Sequence, residues 1–243
     1  MIADMNEAIK LIKSAKSGVV FTGAGVSVES GIPPFTGAGG LWNKYDPKFI
    51  ELDFFYADPK RSWEEMKKIF FTCMDEAKPN KAHEVIEKLE KRGGFQGVVT
   101  QNIDGLHQKA GSVNVQEFHG TIHRMHCINC GKQYRTAEVD LEQVPPHCAC
   151  GGVLKPDFVF YGEGIPPGVY EKSQEMIWAA DVVLIVGTAG QVMPACGLPI
   201  IAKQNGAKIV EINPQPSAYT DTITDAYVPM RATEFFAELE KAL

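Results

Sequence analysis

The sequence contains no apolar run that approaches the about 20 residues needed to cross a bilayer, so it predicts no membrane-spanning helix. Residues 1–7 are polar and acidic, and they lack the basic and apolar regions of a signal peptide, which favours a cytoplasmic location. An excess of positive charge is also missing, because the formal net charge is −6. This balance argues against direct nucleic-acid binding, which usually needs a basic patch, and it suits basic protein partners.

The chain also lacks internal repeats and low-complexity segments. Its 243 residues can bury most of their apolar surface without disulfide bonds, and 44% hydrophobic with 22% charged residues is ordinary for a globular protein. Six cysteines are present, but four of them cluster at metal-binding spacing. The other two, Cys73 and Cys196, lie far apart in the sequence, and we expect them to be buried free thiols.

Short apolar runs without alternation are typical of parallel strands that are buried on both faces. Such runs occur at residues 19–21, 98–99, 182–186 and 209–212. Between them lie helical patterns at 82–89, with Asn80 as the predicted N-cap and Gly93 as the stop, and at 199–204 and 233–242. This alternation predicts an α/β fold with a Rossmann-like, doubly wound parallel sheet.

Two stretches interrupt the alternation of strands and helices. Residues 38–78 are rich in aromatic side chains and are predicted to form a helical insertion with its own core. Residues 123–154 carry the clustered cysteines and are predicted to form a zinc-binding module, which joins the helical insertion in a small domain. The larger domain takes the rest of the chain: 1–37, 79–122 and 155–243. The cleft between the two domains is the expected ligand site.

Glycines directly follow the first apolar run. In Gly23-Ala24-Gly25 the small residues let the backbone approach a pyrophosphate with free N–H groups. The third glycine of the usual G-x-G-x-x-G pattern is missing, because Val28 stands in its place. From these residues alone, a dinucleotide-binding loop and an ordinary strand-to-helix turn are both open interpretations.

The clustered cysteines form two closely spaced pairs: Cys127, Cys130, Cys148 and Cys150. Four thiolates make a closed tetrahedral site suited to structural zinc, whereas a catalytic zinc keeps one position open for water. The neighbouring His126 and His147 are alternative ligands, although the four cysteines complete the set without them. The spacing therefore predicts a structural zinc site.

Further motifs occur in a fixed order along the chain, and together they resemble the sirtuins, a family of NAD-dependent protein lysine deacylases. The matching blocks are residues 23–42, 101–107, 118–121, 155–163, 187–188 and 212–214, together with the four cysteines. They span nearly the whole chain, and jointly they are highly specific. The resemblance implies an NAD co-substrate, a structural zinc ion and protein substrates that contain acetyl-lysine.

The resemblance also implies catalytic roles for three residues. His119 matches the family's catalytic histidine, and an imidazole has the proton affinity that general-base catalysis needs at neutral pH. Asn102 and Asp104 match the residues that hold the nicotinamide end and position the ribose or a water molecule. An alternative for Asp104 is a turn residue before Gly105, which is a common pairing.

Other positions match the family's ligand-binding residues. For the cofactor these are Gly23, Ala24, Gly25, Ser27, Phe35, Thr36, Trp42, Gln101, Asn102, Ile103, Asp104, His119, Gly187, Thr188, Ala189, Asn213, Pro214, Gln215 and Ala232. For the substrate chain, which sirtuins pair as an added strand, they are Val159, Phe160, Gly162 and Glu163. Phe160 is equally suited to an ordinary core position.

The sequence departs from the family at two cofactor positions. Thr36 stands where sirtuins usually carry arginine, and Ala189 stands where they usually carry serine. Each change removes hydrogen-bond donors, so both weaken the expected hold on the cofactor and leave the reaction type unaffected. Residues 63–69 lack the Tyr-x-x-Arg pair by which desuccinylase-type sirtuins grip an acidic acyl chain. Lys67 or Lys68 could replace that arginine, but a solvated helix face is the simpler interpretation.

The predicted activity is that of an NAD-dependent protein lysine deacetylase, which transfers the acetyl group from acetyl-lysine to ADP-ribose and releases nicotinamide. Two alternatives stay open. A related enzyme of the same fold would use NAD as an ADP-ribosyltransferase or NAD hydrolase, and a binding module would hold ADP-ribose or a partner with little turnover. The set of His119, Asn102 and Asp104 argues against the binding module, while Thr36 and Ala189 argue mildly for it.

Overall fold

The computed structural model describes residues 2–37 and 39–243, without the side chains of residues 2–4, Cys73 and Asp75. Ala38, the predicted first residue of the helical insertion, and the expected free thiol of Cys73 therefore lie outside the described residues. Cys196 is buried and free, as expected. None of the described helices is both long and apolar enough to span a membrane.

The described residues form nine strands and nine α-helices. The strands are β1 (Gly18–Thr22), β2 (Phe95–Thr100), β3 (Val115–Glu117), β4 (Gly120–Cys127), β5 (Gln133–Arg135), β6 (Leu154–Phe158), β7 (Val182–Val186), β8 (Lys208–Ile212) and β9 (Ala226–Val228). The helices are α1 (Ile2–Ser14), α2 (Leu52–Ala57), α3 (Pro59–Met66), α4 (Thr72–Asp75), α5 (Lys81–Lys91), α6 (Leu106–Ala110), α7 (Val169–Trp178), α8 (Gly197–Gln204) and α9 (Ala232–Ala242). A 3₁₀ helix, Ala24–Ser30, follows β1, and a π-helical turn, Lys67–Phe71, joins α3 to α4.

Six parallel strands form the main sheet, in the order β3-β2-β1-β7-β8-β9. All four predicted strands are part of it, so the doubly wound α/β fold is confirmed. The strand order reverses between β1 and β7, and the loops that follow these two strands therefore lie beside each other at the carboxyl edge. Ligands of doubly wound sheets bind at such a reversal point.

Successive residues of the central strands point to opposite faces of the main sheet, and both faces are covered. On one face, Val20 and Val98 pack with helices α1, α5 and α9. On the other face, Val19, Phe21 and Val99 pack with helices α7 and α8. Burial on both faces explains why these strands are continuous apolar runs in the sequence.

Helix α5 begins and ends as predicted. Asn80 caps its first turn, because Asn80 Oδ1 accepts the Ala82 N–H at 2.9 Å and His83 Nδ1 accepts the Asn80 N–H at 3.2 Å. Gly93, just beyond the helix, has φ 83°, a left-handed conformation that glycine adopts without strain. Asn80 Nδ2 also donates to the Val26 carbonyl oxygen at 2.8 Å, which ties this helix to the loop after β1.

A second, antiparallel sheet has the order β5-β4-β6. The aromatic side chains of the helical insertion pack against it in a core of their own, except for the exposed Tyr56. Trp63 is fully buried there, and its Nε1–H donates to the Leu154 carbonyl oxygen at 2.8 Å. The aromatic residues therefore serve mainly as core residues, as expected, while the residue limits of the two domains stay a prediction.

Candidate active site

The loops after β1 and β7 contact each other backbone to backbone at the reversal point of the main sheet. The Gly25 N–H donates to the Gly187 carbonyl oxygen at 2.8 Å. A Cβ atom on Gly25 would lie 2.6 Å from the Gly187 Cα, and one on Gly187, whose φ is 63°, would lie 2.5 Å from the Val26 nitrogen. Loop packing alone therefore requires both glycines, whatever ligand the loops bind.

Asn102 follows β2 on the same edge, and its hydrogen-bond partners fix the orientation of its amide. Asn102 Nδ2 donates to the Gly23 carbonyl oxygen at 3.1 Å and to Ser27 Oγ at 3.2 Å. Because a carbonyl oxygen can only accept, Nδ2 must face Gly23. Asn102 Oδ1 is buried and accepts no hydrogen bond from any residue that the structure describes. Such an acceptor fits a ligand N–H donor, and the carboxamide of nicotinamide carries one.

Both carboxylate oxygens of Asp104 are engaged. Oδ2 accepts the Ser27 hydroxyl at 2.7 Å, and Oδ1 accepts the Leu106 N–H at 2.9 Å across Gly105, which has φ 67°. The second contact closes a turn, so Asp104 is a turn residue, as the alternative interpretation expects. The first contact joins the loop after β2 to the loop after β1 and holds Ser27 beside Asn102. A catalytic role for Asp104 stays a prediction.

His119 lies between β3 and β4 and is partly exposed. Its Nδ1 is 3.1 Å from the Gln101 carbonyl oxygen. Since that oxygen can only accept, the ring hydrogen must be on Nδ1 and the lone pair on Nε2. Burial lowers the pKa of His119 below the ordinary 6.5, and the contact with Gln101 opposes this shift. At neutral pH the imidazole is therefore uncharged, and Nε2 can accept a proton.

The sequence does not predict a buried network of hydroxyl and imidazole groups next to Asn102. The Asn102 N–H donates to Thr100 Oγ1 at 3.0 Å, and the Thr22 hydroxyl donates to the same oxygen at 2.8 Å. Thr22 Oγ1 must then accept from His107 Nε2, which is 3.0 Å away. Burial, together with the nearby His83, keeps the pKa of His107 well below 6.5, so this ring is neutral. Thr22 and Thr100 end two apolar runs, and this is the sequence signal that points to them.

The predicted residues after β7 and β8 meet around Thr188. Gln101 Nε2 donates to Thr188 Oγ1 at 3.0 Å, and Asn213 Nδ2 donates to the Thr188 carbonyl oxygen at 3.0 Å. The exposed residues that follow them in the chain are Ala189, Pro214 and Gln215. Ala232, at the start of α9, has its side chain buried in the core of the main sheet. The structure therefore joins the carboxyl ends of β2, β7 and β8 through one threonine.

Two predicted cofactor residues belong to the aromatic core. The rings of Phe35 and Trp42 lie 5.4 Å apart, and the Trp42 N–H donates to the Phe35 carbonyl oxygen at 3.0 Å, which closes the loop between them. Thr36 lies in this loop and is exposed. The Ile103 side chain is buried in the same core, so a ligand contact falls to its backbone. Ala24 begins the 3₁₀ helix after β1 and is partly exposed.

The predicted substrate segment forms a β-turn. The Glu163 N–H donates to the Phe160 carbonyl oxygen at 3.0 Å, and Gly162 has φ 95°, the positive φ that the third position of a type II turn requires. Gly162 is exposed. The turn therefore presents the backbone of its glycine at the surface.

Phe160, the first residue of this turn, faces inward, and Val159 precedes it. Phe160 is 1% exposed and stacks on Phe158 with ring centroids 4.9 Å apart, so it occupies a core position. The Val159 N–H donates to the His119 carbonyl oxygen at 2.9 Å. This hydrogen bond links the predicted substrate segment directly to the candidate base.

The four clustered cysteines converge at one end of the small sheet. Their sulfur atoms all lie within 4.8 Å of one another, with 3.5 Å between Cys127 and Cys150 and 3.7 Å between Cys130 and Cys148. A tetrahedral ion with metal–sulfur bonds of about 2.3 Å holds its sulfurs about 3.8 Å apart, so the cluster fits zinc. Four thiolates leave no position for water, which makes the site structural.

Two glycine turns present these cysteines. The Gly131 N–H donates to the Cys127 carbonyl oxygen at 2.9 Å, and the Gly151 N–H donates to the Cys148 carbonyl oxygen at 2.8 Å; both glycines have positive φ. The backbone N–H of Cys150, followed by the Tyr134 hydroxyl at 3.0 Å, lowers the pKa of Cys148 to about 6, which favours the thiolate. The histidine alternative is not supported among the described residues: His126 Nδ1 contacts Asp157 Oδ1 at 2.7 Å, and His147 is not part of the cluster.

Comparison with known proteins gives a consistent result. The model of the Sir2 family matches residues 23–194. An NAD-dependent protein deacylase 2 from Pyrobaculum aerophilum is 44% identical, over 94% of this chain and 92% of the relative. An NAD-dependent protein deacetylase from Sulfurisphaera tokodaii is 40% identical, over 93% of this chain and 90% of the relative.

Solved structures agree in fold along nearly the whole chain. A structure described as Sir2 bound to acetylated peptide superposes with a TM-score of 0.90 at 33% identity, covering 98% of both chains. One described as Sir2 with a p53 peptide and NAD+ gives the same TM-score, identity and coverage. The chain therefore belongs to the Sir2 family, the sirtuins.

Proposed function

We propose that this protein is an NAD-dependent protein lysine deacetylase that transfers the acetyl group from acetyl-lysine to ADP-ribose and releases nicotinamide. The observation that carries the proposal is the hydrogen bond between His119 Nδ1 and the Gln101 carbonyl oxygen, which leaves Nε2 as a neutral base. The relatives named as NAD-dependent deacylases and deacetylases support it, as do the similar structures described with acetylated peptide and with NAD+.

NAD, when bound, supplies a labile bond between nicotinamide and ribose. Asn102 Oδ1, which is buried and has no partner among the described residues, would accept an N–H of the carboxamide and so orient the nicotinamide end. Ser27, which donates its hydroxyl to Asp104, accepts from Asn102 Nδ2 and so helps to fix the orientation of this amide. His119 Nε2 takes up the proton of a ribose hydroxyl, and its Nδ1–H stays fixed on the Gln101 carbonyl oxygen throughout.

The substrate chain pairs with the exposed edge of the turn at Gly162. Edge pairing uses backbone groups rather than side chains, so it gives loose sequence selectivity. The backbone of Tyr161 bonds the helical insertion instead, because its N–H donates to the Ile50 carbonyl oxygen and its carbonyl oxygen accepts the Leu52 N–H, both at 2.9 Å. A cytoplasmic location, basic protein tails as substrates and no direct nucleic-acid binding belong to the same proposal.

The proposed function is tested by incubating the protein with NAD and a panel of acyl-lysine peptides and identifying the products by mass spectrometry. Acetylated ADP-ribose, free nicotinamide and the deacetylated peptide in equal amounts are the expected products. Nicotinamide release that does not depend on an acylated peptide would favour the NAD hydrolase, and ADP-ribose attached to protein would favour the transferase. Binding of ADP-ribose without turnover would favour the binding module.

Activity should depend on pH through His119. The base must be unprotonated to act, so kcat/KM is expected to fall as the pH drops through the pKa of His119, and to stay high above it. Because burial lowers that pKa below 6.5, the decline should occur on the acid side of neutrality. The measurement is kcat/KM for an acetylated peptide from about pH 5 to about pH 9. These limits include the range over which a histidine changes charge. A decline centred above about pH 7 would contradict this, because it would place the pKa of the base above the ordinary histidine value.

Thr36 should limit the affinity for NAD. Arginine at this position offers several charged donors to phosphate or ribose oxygens, whereas threonine offers one hydroxyl. The exposed position of Thr36 leaves room for the longer side chain. We therefore expect Thr36→Arg to lower the KM for NAD by about tenfold, since a hydrogen bond from a charged group is worth about 1.5 kcal/mol.

The alternative for this loop is that the exposed Lys44 already supplies the cation. Thr36→Arg then changes little, and Lys44→Ala raises the KM for NAD instead. A loss of activity in Thr36→Arg would mean that the loop is built around the smaller residue. NAD dependence of both variants, measured at one fixed peptide concentration, separates the three outcomes.

A further inference from the structure

Lys155, on strand β6, is a buried cation whose donors are all used. It is 2% exposed. Its Nζ donates to Glu163 Oε2 at 2.9 Å, to the Pro156 carbonyl oxygen at 3.1 Å and to the Phe158 carbonyl oxygen at 3.3 Å. An ammonium group has three N–H donors, so each has a partner. The same Nζ lies 3.9 Å from the centroid of the Phe160 ring, which adds a cation–π contact.

Glu163 uses the same oxygen to close the turn. Its Oε2 accepts the Phe160 N–H at 2.7 Å as well as the Lys155 ammonium. Its own N–H donates to the Phe160 carbonyl oxygen at 3.0 Å. Side chain and backbone of Glu163 therefore bind both polar groups of Phe160, and Gly162 is held between them. The sequence assigns Glu163 to the substrate, but in this structure that carboxylate oxygen is bound to the protein.

The turn is also connected to the two sides of the candidate site. Tyr161 pairs with Ile50 and Leu52 of the helical insertion, and Val159 pairs with the His119 carbonyl oxygen. A shift of the turn would therefore move the exposed Gly162 backbone relative to His119. Lys155 joins the turn to strand β6, because the ammonium group that binds Glu163 also donates to the carbonyl oxygens of Pro156 and Phe158 on that strand.

Folding stability alone does not explain the ion pair between Lys155 and Glu163. Burying two charges costs desolvation free energy that their attraction often fails to recover, and apolar residues of similar size are frequently as stabilising. Burial indeed lowers the pKa of Lys155, and the negative charge of Glu163 opposes that shift. The ammonium suits this place because its single nitrogen carries three N–H donors, and all three acceptors lie within 3.3 Å of that nitrogen.

We propose that Lys155 and Glu163 are positioning residues that hold the turn 160–163 in the conformation that pairs with the substrate chain. The proposal rests on the proposed function, because it assumes that an acylated peptide binds at Gly162. Neither side chain needs to touch the peptide. Their effect should therefore appear in peptide binding and leave NAD binding unchanged.

The test uses Lys155→Met, which keeps the length of the side chain and removes its charge. The KM for an acetylated peptide should rise by about tenfold or more, because a buried charged hydrogen bond is lost, while the KM for NAD stays within about twofold. The matched control is Lys172→Met on α7, where the lysine is exposed, and it should change neither constant. Normal peptide KM in a folded Lys155→Met protein would overturn the proposal.

Two further variants separate positioning from stability. Glu163→Gln removes the negative charge but keeps an oxygen that can accept from both the Phe160 N–H and Lys155, so it should raise the peptide KM less than Lys155→Met does. It also carries the test if Lys155→Met fails to fold. In the double variant no unpaired charge remains, so the melting temperature should recover while the peptide KM stays raised. Recovery of both together would show a purely structural pair.

Peptide binding by fluorescence anisotropy keeps this test separate from the proposed function. A wild-type protein that does not deacetylate any peptide would refute the proposed function, whatever the variants do. Weaker binding of the acetylated peptide to Lys155→Met than to the wild type would still support positioning. Equal binding to the two proteins would refute it.

Discussion

Replacing His119 with alanine should reduce acetyl-peptide turnover by about 10²–10⁴-fold, the usual contribution of a general base. The variant should remain folded, because His119 is partly exposed and its side-chain hydrogen bond to the Gln101 carbonyl oxygen is only partly buried. Turnover at saturating NAD and peptide, together with the melting temperature, gives the result.

His119→Gln is the matched variant for this prediction. Glutamine can donate a hydrogen bond to the Gln101 carbonyl oxygen, as His119 Nδ1 does, but it cannot take up a proton at neutral pH. Both variants should therefore be inactive to a similar degree. A variant that keeps more than about a tenth of wild-type turnover contradicts the base assignment. If peptide turnover vanishes while NAD cleavage continues, the hydrolase alternative gains support.

The sheet could be predicted from the sequence where its strands are buried on both faces. The run 182–186 has no polar residue to interrupt it, and it forms β7 with the same limits. The edge strands β3 and β9 could not be found in this way, because each has only three residues and one neighbour in the sheet. Helix α7 could not be predicted either, because its amphipathic pattern is weak and much of its surface is exposed.

The site could be predicted as a set of residues but not as a set of contacts. Ser27 is predicted to contact the cofactor, but the sequence does not indicate that its hydroxyl donates to Asp104, which is 77 positions further along the chain. The orientation of Asn102 likewise depends on Gly23, and nothing local in the sequence specifies it. Pairings of this kind follow from the order of the strands in the sheet. They form because β1 and β2 lie side by side in the main sheet.

The glycines illustrate how one residue type can have two physical causes. In the sequence, Gly23 and Gly25 suggest a close approach to a pyrophosphate. In the structure, a Cβ on Gly23 would lie 2.7 Å from the Thr188 Cβ, so the approach of the second loop is a sufficient reason for a glycine there. The two causes are compatible, because the same packing brings backbone N–H groups to the carboxyl edge of the sheet.

Replacing Cys148 with alanine should release the zinc ion and loosen the small sheet. Cys148 is buried, its sulfur is 3.7 Å from that of Cys130, and it accepts a hydrogen bond from the Tyr134 hydroxyl. The alanine variant would keep only three of the four thiolates. Three ligands cannot close a tetrahedral structural site, and the binding free energy of such a metal is part of the folding free energy. We expect the melting temperature to fall by about 5 °C or more, since a loss of several kcal/mol has at least that effect in a chain of this size.

The zinc content, measured by mass spectrometry of the purified protein, should fall from one ion per chain towards none, and a strong chelator should produce the same destabilisation in the wild type. Cys196→Ala is the matched control, because Cys196 is also a buried thiol but lies outside the cluster; it should keep its zinc. The loss should reach activity indirectly, since β4 runs from Gly120, beside His119, to Cys127, so that the metal and the candidate base lie at opposite ends of one strand. A metal-free Cys148→Ala protein with full activity and an unchanged melting temperature would show that the cluster has no structural role.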